Sequence, residues 1–472
     1  MTPSSTCKSF IALALACCCG QALADEAAHR EDIGRFHDIF RELVETDTTN
    51  STGSCTVAAT AMAARLKQAG YADAEMHLIV PPGGPTKGNL VVRLKGTGEK
   101  RPLLLLAHLD VVEARREDWT RDPFKLVEEN GFYYGRGVID DKSHAASHVN
   151  NLIRFKQERR LPRRDIIMAL TCDEEIVPSP FDGVAYLLKE HRPLIDAELA
   201  LNEAGFGELD RLGRPIDYGL QIGEKVFITY ELEVTDPGGH SAWPTRDNAI
   251  YHLADGLGRL ARFDFAIHLN ETTRHYLEQI ARLDGYKDQA ADIHALLGTP
   301  PDAAALERLQ ADSSGINAMA RTTCVATMLD AGHAPNALPQ RARATVNCRI
   351  LPGEPVADVY QTLVRVLADD RIKVRPTGTA VEAPQPPMSP AVMQAVQATV
   401  ESMWPGTPVI PVMSVGATDG RFLNNAGIWT YGVGAFFGDE PTGVHGLNEN
   451  IRTRSLDEFQ EFLYRLTKRL AF

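Results

Sequence analysis

Residues 103–110 read LLLLAHLD, an apolar run that ends in a histidine and an aspartate. Short apolar runs are typical of strands that are buried on both faces of a sheet. Further runs of this kind lie at 90–94, 166–170 and 199–201, and segments with the apolar spacing of helices lie between them. This alternation predicts an α/β domain in which helices cover a central sheet.

The alternation of strands and helices changes in the middle of the chain. Residues 226–235 read VFITYELEVT, in which apolar side chains alternate with mostly polar ones, as in a strand with one exposed face. A proline-rich stretch, APQPP at 383–387, closes this region. We therefore predict a separate domain of sheet and helices over 222–383, inserted into a discontinuous main domain over 25–221 plus 384–472.

The first residues, 1–24, have the features of a removable export signal. Lys8 supplies a positive charge, residues 10–19 form an apolar stretch, and residues 22–24 read ALA, a pattern typical of a cleavage site. A membrane anchor is the less favoured alternative, because the apolar stretch is shorter than the roughly 20 residues that a span requires. We predict a signal peptide and an exported mature protein, periplasmic or secreted, without a membrane span.

The composition bounds the class of protein. The chain has 472 residues, 44% of them hydrophobic, and a formal net charge of -13. A chain of this length can bury more than one core. An acidic chain without a basic patch lacks the charge that attracts a phosphate backbone, so we expect no nucleic-acid partner.

Four of the eight cysteines, Cys55, Cys172, Cys324 and Cys348, follow the predicted signal peptide. They are too few and too scattered for a disulfide scaffold or a cysteine-rich zinc site. Cys324 and Cys348 fall in the apolar phase of alternating strands, so we interpret them first as core residues. A disulfide between these two is the alternative that an oxidising compartment would permit.

Acidic residues and a histidine directly follow the apolar runs and a glycine turn, and a second histidine lies near the C-terminus. Because the carboxyl ends of parallel strands meet at one edge of an open α/β sheet, we expect these side chains to lie close together. Clustered carboxylates repel one another unless a cation neutralises them. Two imidazoles and three carboxylates suit two adjacent zinc or similar ions with one bridging carboxylate. The full set of clustered acids and histidines, from which such ligands would come, is His108, Asp110, Asp140, Asp141, Asp173, Glu174, Glu175, Glu203 and His445.

These motifs, in this order, resemble the M20 family of dinuclear zinc metallopeptidases, which are relatives of glutamate carboxypeptidase, carboxypeptidase S, aminoacylase and succinyl-diaminopimelate desuccinylase. The resemblance extends from about residue 88 to the C-terminus and includes WTRDPF at 119–124 and YGRG at 134–137. It implies a zinc-peptidase-like α/β/α catalytic domain with an inserted α+β lid and dimerisation domain. It also implies a homodimer.

The resemblance assigns metal ligands residue by residue. It implies that His108, Asp140 and Glu203 hold one zinc ion. It implies that Asp140, Glu175 and His445 hold the other, so that Asp140 bridges two ions per chain. Cobalt or manganese would also suit these ligands, because ligand type constrains metal identity only loosely.

The resemblance also assigns catalytic and substrate-binding residues. Glu174 would be the general base, and Asp110 would accept the free ring N–H of the first histidine ligand. His240, in GGHS, would stabilise the oxyanion, often from the partner subunit. Asn336 and Arg349 would bind the terminal carboxylate of the substrate, a task that suits the planar fork of an arginine.

Three positions depart from the usual family pattern. Ser143 and Ala204 stand where glycines are common. Glu175 is followed by IVPSP at 176–180, where the family pattern has one residue of any type and then a glycine. No ligand and no base is lost. The departures therefore bear on the shape of the pocket and on the substrate rather than on activity.

We predict a dinuclear zinc-dependent exopeptidase that removes a C-terminal residue from small peptides or N-acyl amino acids. The alternative is an N-acyl-amino-acid amidohydrolase or dipeptidase with the same site. A catalytically silent peptide-binding relative is less favoured, because such a protein would have no physical need for the base Glu174.

Overall fold

A computed structural model describes residues 30–472 except 211, 313, 435 and 439–441. The predicted signal peptide lies outside the described residues. Within the described part of the chain, no helix has both the length and the apolar character that crossing a membrane requires. The helices are α1 30–45, α2 Cys55–Gln68, α3 Lys142–Glu158, α4 Gly183–Glu190, α5 Arg192–Ile195, α6 Ala249–Leu260, α7 Glu271–Ile280, α8 Ala290–Leu296, α9 Ala303–Asp312, α10 Ser314–Ala320, α11 Val356–Leu367, α12 Pro390–Met403, α13 Gly420–Asn425 and α14 Thr453–Ala471.

Among the described residues, the strands form one large and three small sheets. The strands are β1 Met76–Ile79, β2 Asn89–Leu94, β3 Leu103–His108, β4 Val127–Glu129, β5 Phe132–Tyr134, β6 Ile166–Thr171, β7 Leu199–Asn202, β8 Phe206–Leu209, β9 Pro215–Glu224, β10 Val226–Thr235, β11 Gly239–His240, β12 Thr323–Ala331, β13 Ala337–Leu338, β14 Arg341–Ile350, β15 Lys373–Pro376, β16 Val409–Ser414, β17 Trp429–Gly432, β18 Phe436–Gly438 and β19 Asn450–Arg452. The large sheet is mixed and ten-stranded, with the order β1-β2-β6-β3-β7-β17-β9-β8-β18 and with β16 paired to β9.

Helices cover both faces of the large sheet. Leu103 and Leu105 of β3 point into an apolar cluster formed with α1, α2, α3, α12 and α14. Leu104 and Leu106 point to the opposite face, where α4, α5 and α13 form a second cluster. Because successive side chains of a strand alternate between faces, a strand between two helical layers must be apolar throughout. The α/β domain predicted from the apolar runs, and the α/β/α arrangement implied by the family resemblance, are therefore confirmed.

The alternating strand at 226–235 belongs to a second sheet. β12, β14, β10 and β15 form a four-stranded antiparallel sheet, in which Val226 of β10 pairs with Ile350 of β14. The buried face of β10 packs against α6 and α11. All four strands lie within the predicted inserted domain, whose limits at 222 and 383 we keep as a proposal.

Helices α7–α10 extend from this inserted region back to the large sheet. Leu277 and Ile293 share an apolar cluster with Ile410 of β16. The hydroxyl of Tyr286 donates a hydrogen bond to Asp217 of β9 at 3.1 Å. These helices, for which the sequence pattern predicted no role, connect the inserted region to the main sheet.

Two disulfides join the four cysteines. Cys324 and Cys348 occupy directly opposite positions of β12 and β14 and are bonded, which is the alternative that the sequence left open. Cys55 at the start of α2 is bonded to Cys172, which the sequence analysis did not predict. Cys172 lies two residues before Glu174, so the second disulfide ties the loop that carries the predicted base to α2.

We expect the double variant Cys55→Ala/Cys172→Ala to lower the free energy of unfolding by about 2–5 kcal/mol, because it removes a cross-link between residues 117 positions apart. Urea unfolding measures this loss. The matched variant Cys324→Ala/Cys348→Ala opens a link across 24 positions and should lose about 1 kcal/mol less. Unchanged stability of the first variant would show that this disulfide does not constrain the protein.

Candidate active site

Three of the five predicted metal ligands lie where parallel strands end. His108 is the last residue of β3, Glu175 lies in the loop after β6, and Glu203 directly follows β7. Since β3 runs parallel to both β6 and β7, these ends meet at one edge of the sheet. Asp140 lies in the turn before α3, and His445 lies in the loop between β18 and β19. The structure brings all five side chains to this edge.

The five side chains form two groups that share Asp140. In the first group, the Nε2 atom of His108 lies 2.9 Å from Oδ1 of Asp140 and 4.0 Å from Oε1 of Glu203. In the second group, Nε2 of His445 lies 3.1 Å from Oδ2 of Asp140 and 2.9 Å from Oε1 of Glu175. Each group offers three donor atoms within 4.8 Å of one another. Asp140 thus directs one oxygen to each group, as a bridging carboxylate does.

Burial and mutual repulsion shift the titration of these groups. Burial, with the charges of Glu174 and Asp140, raises the pKa of Glu203 well above its usual range. Burial and then Asp140 raise the pKa of Glu175. Burial lowers the pKa of His445, but its hydrogen bonds to Asp140 and Glu175 outweigh this and raise it to about 10. A divalent cation removes such repulsion, and a set of imidazoles and carboxylates without a thiol fits zinc.

Glu174 lies beside both groups but belongs to neither. Its side chain is buried and lines the same cavity as Glu175 and His445. Burial raises the pKa of Glu174 to about 8; His108 opposes this shift and Glu175 adds to it. A carboxylate that borders a metal group without belonging to it is placed to exchange a proton there.

Asp110 connects the two loops that carry His108 and the acidic pair. Its carboxylate accepts hydrogen bonds from the main-chain N–H groups of Glu174 at 3.3 Å and Glu175 at 3.1 Å. Nδ1 of His108 lies 2.9 Å from the main-chain oxygen of Asp110 and 3.6 Å from its carboxylate. The nearer acceptor for the imidazole is therefore the main chain of Asp110, whereas its side chain holds the acidic loop.

Glu449 is a buried residue that the sequence analysis missed. Its carboxylate accepts hydrogen bonds from the main-chain N–H groups of Gly137, Ile139 and Asp140, and it pairs with Arg136 at 2.8 Å. It therefore holds the turn that carries Asp140, the residue shared by the two groups. Glu449 follows His445 by four residues, but a single glutamate in a loop has no sequence pattern that predicts this structural role.

The turn after Glu203 contains Ala204, one of the positions that depart from the family pattern. Ala204 and Gly205 both adopt positive φ angles, 64° and 86°. This left-handed region favours glycine, so Ala204 keeps a conformation for which glycine is the usual choice. At Gly205 a Cβ atom would lie 2.6 Å from the main-chain oxygen of Gly432, which leaves space for glycine alone.

A cavity of about 440 Å³ opens above the two groups. Its floor carries the acidic residues and His445, and Arg349 reaches it from β14 of the inserted region. The guanidinium of Arg349 lies 4.5 Å from the ring centre of Phe227, and its Nε donates to Asn347 at 3.0 Å. The larger apolar residues of the lining are Val112, Ile139, Val177, Phe206, Phe227, Val415 and Val444.

Two of the predicted residues lie elsewhere. His240 and Asn336 are exposed, and among the described residues neither belongs to the lining of the cavity. They lie near each other, because β11 pairs with β13 and the main-chain N–H of Ser241 donates to the main-chain oxygen of Asn336 at 3.1 Å. Within one chain the structure therefore brings Arg349, but not His240 or Asn336, to the cavity.

The fold and the two ligand groups define a hydrolase of the metallopeptidase class. The family model described as peptidase family M20/M25/M40 matches residues 104–469, and the chain belongs to this family. The chain is similar to the N-fatty-acyl-amino acid synthase/hydrolase PM20D1 of Homo sapiens, with 29% identity over 378 residues, 78% of this chain and 73% of the relative.

Two further comparisons agree with this family. A probable carboxypeptidase S-like 2 of Dictyostelium discoideum is 27% identical over 398 residues, which are 80% of this chain and 74% of the relative. The solved structure of an M20 family metallo-carboxypeptidase, Sso-CP2 from Sulfolobus solfataricus, matches with a TM-score of 0.66 and 19% identity. That match covers 92% of this chain and 98% of the other, and it supports the fold, including the inserted domain.

Proposed function

We propose that the protein is a metal-dependent exopeptidase that hydrolyses the amide bond next to a free carboxylate, in small peptides or N-acyl amino acids. The observation that carries this proposal is the placement of Arg349 in the same cavity as Glu174 and the two ligand groups. An arginine binds a carboxylate with two parallel hydrogen bonds. A substrate held in this way would present the neighbouring amide to the metal groups.

Two zinc ions would be held by the residues of the two groups, with Asp140 shared. Such a pair of cations polarises a carbonyl and makes water more acidic. Glu174 takes a proton from the attacking water and passes it to the leaving nitrogen. Asp110 keeps Glu174 and Glu175 in place through the main-chain hydrogen bonds described above.

A second candidate function, hydrolysis of N-acyl amino acids with long acyl chains in preference to peptides, has a specific observation in its favour. Val177, Val415 and Val444 are partly exposed around the cavity, and Phe206 is 54% exposed. An aliphatic acyl chain would cover these apolar side chains, and each CH₂ group buried contributes about 0.8 kcal/mol. The relative PM20D1 carries N-fatty-acyl-amino acid synthase/hydrolase in its name.

The test is metal content together with hydrolysis of a small panel, on mature protein with and without chelator. The panel holds dipeptides, short- and long-chain N-acyl amino acids, and the C-terminally amidated form of each. About two metal ions per chain and chelator-sensitive cleavage of free-carboxylate substrates alone would support the proposal. Preference for long-chain N-acyl substrates would favour the second candidate, and equal cleavage of amidated substrates would contradict the role of Arg349.

We expect Arg349→Ala to reduce kcat/KM for free-carboxylate substrates by about 10- to 100-fold, because hydrogen bonds to a charged group contribute about 1.5–3 kcal/mol. The loss should appear mainly in KM. Arg365→Ala, at an exposed position of α11 in the same inserted region, is the matched control. If Arg349→Ala and Arg365→Ala behave alike, the cavity binds the carboxylate elsewhere.

We also propose that the protein is exported. The signal-like composition of residues 1–24 supports this, and so do the two disulfides, because disulfides persist in oxidising compartments. N-terminal sequencing of the exported protein should begin at Asp25. Retention of the full chain in the cytosol would contradict this proposal.

We propose that the protein acts as a homodimer joined at β12. This strand is an edge of the four-stranded sheet, and its Val325, Met328 and Leu329 are 60%, 70% and 68% exposed. An edge strand with exposed apolar side chains is a template for pairing with another strand. The family resemblance implies that pairing of two copies brings His240 to the partner's cavity.

We expect Met328→Glu to shift the protein from dimer to monomer in sedimentation, because a charge on an edge strand opposes pairing. If His240 acts across subunits, turnover should fall in parallel with the dimer fraction. Leu212→Glu, at an exposed position of the main domain, is the control. Full activity of a monomeric unmodified protein would contradict donation of His240 across subunits.

A further inference from the structure

Arg421 is a buried arginine beside the cavity to which the proposed function assigns no task. It lies in the segment ATDGR at 417–421, in the first turn of α13. Its side chain is 8% exposed and lines the cavity above the two ligand groups. Nη1 of Arg421 lies 3.8 Å from Oε1 of Glu174 and donates to the main-chain oxygen of Thr418 at 2.6 Å.

Further carboxylates hold the guanidinium from the other side. Nη2 of Arg421 lies 3.9 Å from Asp182 and 3.9 Å from Asp419, both of which are buried. Burial lowers the pKa of Arg421, but the charges of Asp419, Glu174 and Asp182 outweigh this and raise it. The guanidinium is therefore a fixed positive charge whose position is set by residues of the protein.

These contacts argue against a second substrate-binding arginine. The nearby acids already balance the charge of Arg421, and its small exposure leaves little room for a substrate carboxylate. Arg349 faces the cavity without an ion pair of this kind among the described contacts. The two arginines therefore differ in the partner that each one can bind.

Glu174 needs a fixed partner for a physical reason. Among the described contacts, its carboxylate has one ion-pair partner, the guanidinium of Arg421. A glutamate side chain has several rotamers, and such a partner holds it in one of them. At 3.8 Å the guanidinium of Arg421 attracts the carboxylate as an ion pair rather than through a short hydrogen bond, so it can orient Glu174 and still leave it free to accept a proton.

We propose that Arg421 is a positioning residue that holds the carboxylate of Glu174 toward the two ligand groups, with Asp182 and Asp419 anchoring its guanidinium. This inference rests on the proposed role of Glu174 as the base. The two arginines of the cavity therefore have different roles. Arg349 binds the substrate, and Arg421 orients the base for the chemical step.

The test compares steady-state kinetics and metal content of Arg421→Gln and the unmodified protein on the best substrate of the panel. Misplacing a catalytic group by about 1 Å costs on the order of 100-fold in rate, so we expect a loss of about 100-fold in kcat. KM should stay within about twofold, and the metal content should not change. Arg421→Lys, which keeps the charge, should recover part of kcat, and added guanidinium at millimolar concentration should partly restore Arg421→Ala.

Two controls keep the inference falsifiable. Arg164→Gln removes another buried arginine, which pairs with Glu198 at 3.1 Å, and should leave kcat unchanged. If Arg421→Gln does not fold, Asp182→Asn weakens the anchor and should still lower kcat with KM unchanged. A rise in KM without loss of kcat, or loss of bound metal, would overturn the positioning role. An unmodified protein inactive on the whole panel would instead overturn the proposed function itself.

Discussion

Glu174→Gln should reduce kcat by about 10²- to 10⁴-fold, the contribution typical of a general acid–base residue. The amide has nearly the shape of the carboxylate but cannot accept the proton of the attacking water. Because Glu174 lies outside both ligand groups, the metal content should remain that of the unmodified protein. Steady-state kinetics on the preferred substrate and elemental analysis measure the two quantities.

The control for Glu174→Gln is Glu117→Gln, which makes the same change at an exposed position. It should leave kcat and stability unchanged. If Glu174→Gln retained the turnover of the unmodified protein, another group would be the base and the mechanism proposed above would be wrong. If it lost metal, Glu174 would be a ligand instead.

Asp140→Ala should remove both metal ions and abolish turnover. Its two carboxylate oxygens face different groups, Oδ1 toward His108 and Oδ2 toward His445, so one substitution deprives both groups of a ligand. Without the cations nothing polarises the carbonyl, and a loss of at least about 10⁴-fold in kcat/KM is expected. Metal content after dialysis and hydrolysis of the panel are the measurements.

The comparison variant for Asp140→Ala is Glu203→Ala, which removes a ligand from one group. It should lower the metal content from about two ions to about one per chain, whereas Asp140→Ala should lower it to nearly none. Equal metal loss in the two variants would argue against a shared carboxylate. Removal of Asp140 should not unfold the protein, because Glu449 binds the main chain of this turn rather than the side chain.

Much of the site was visible in the sequence because its signals are local. A strand between two helical layers must be apolar, and a ligand at the end of that strand follows it directly in the chain. His108, Glu175 and Glu203 could therefore be found as polar residues that follow apolar runs. Asp140 follows a glycine turn and His445 lies far along the chain, and the family resemblance was needed to choose the five ligands among the clustered acids and histidines.

Other contacts could not be predicted because they join positions with no local pattern in common. Glu449 and Arg136 are 313 residues apart, and Cys55 and Cys172 are 117 residues apart. The position of Arg421 beside Glu174 depends on how α13 packs next to the loop after β6. None of these residues lies in a local sequence pattern that distinguishes it from an ordinary loop or helix residue.

By itself, the sequence determined the α/β class, the change of pattern where the second sheet begins, and the residue types that gather at the edge of the main sheet. These follow from side-chain period and hydrophobic burial, which act over a few residues. The tertiary structure alone decided which oxygen of Asp140 faces which histidine, that the side chain of Asp110 holds the acidic loop, and that Arg421 reaches Glu174. Such choices depend on the packing of distant segments, which a local pattern does not encode.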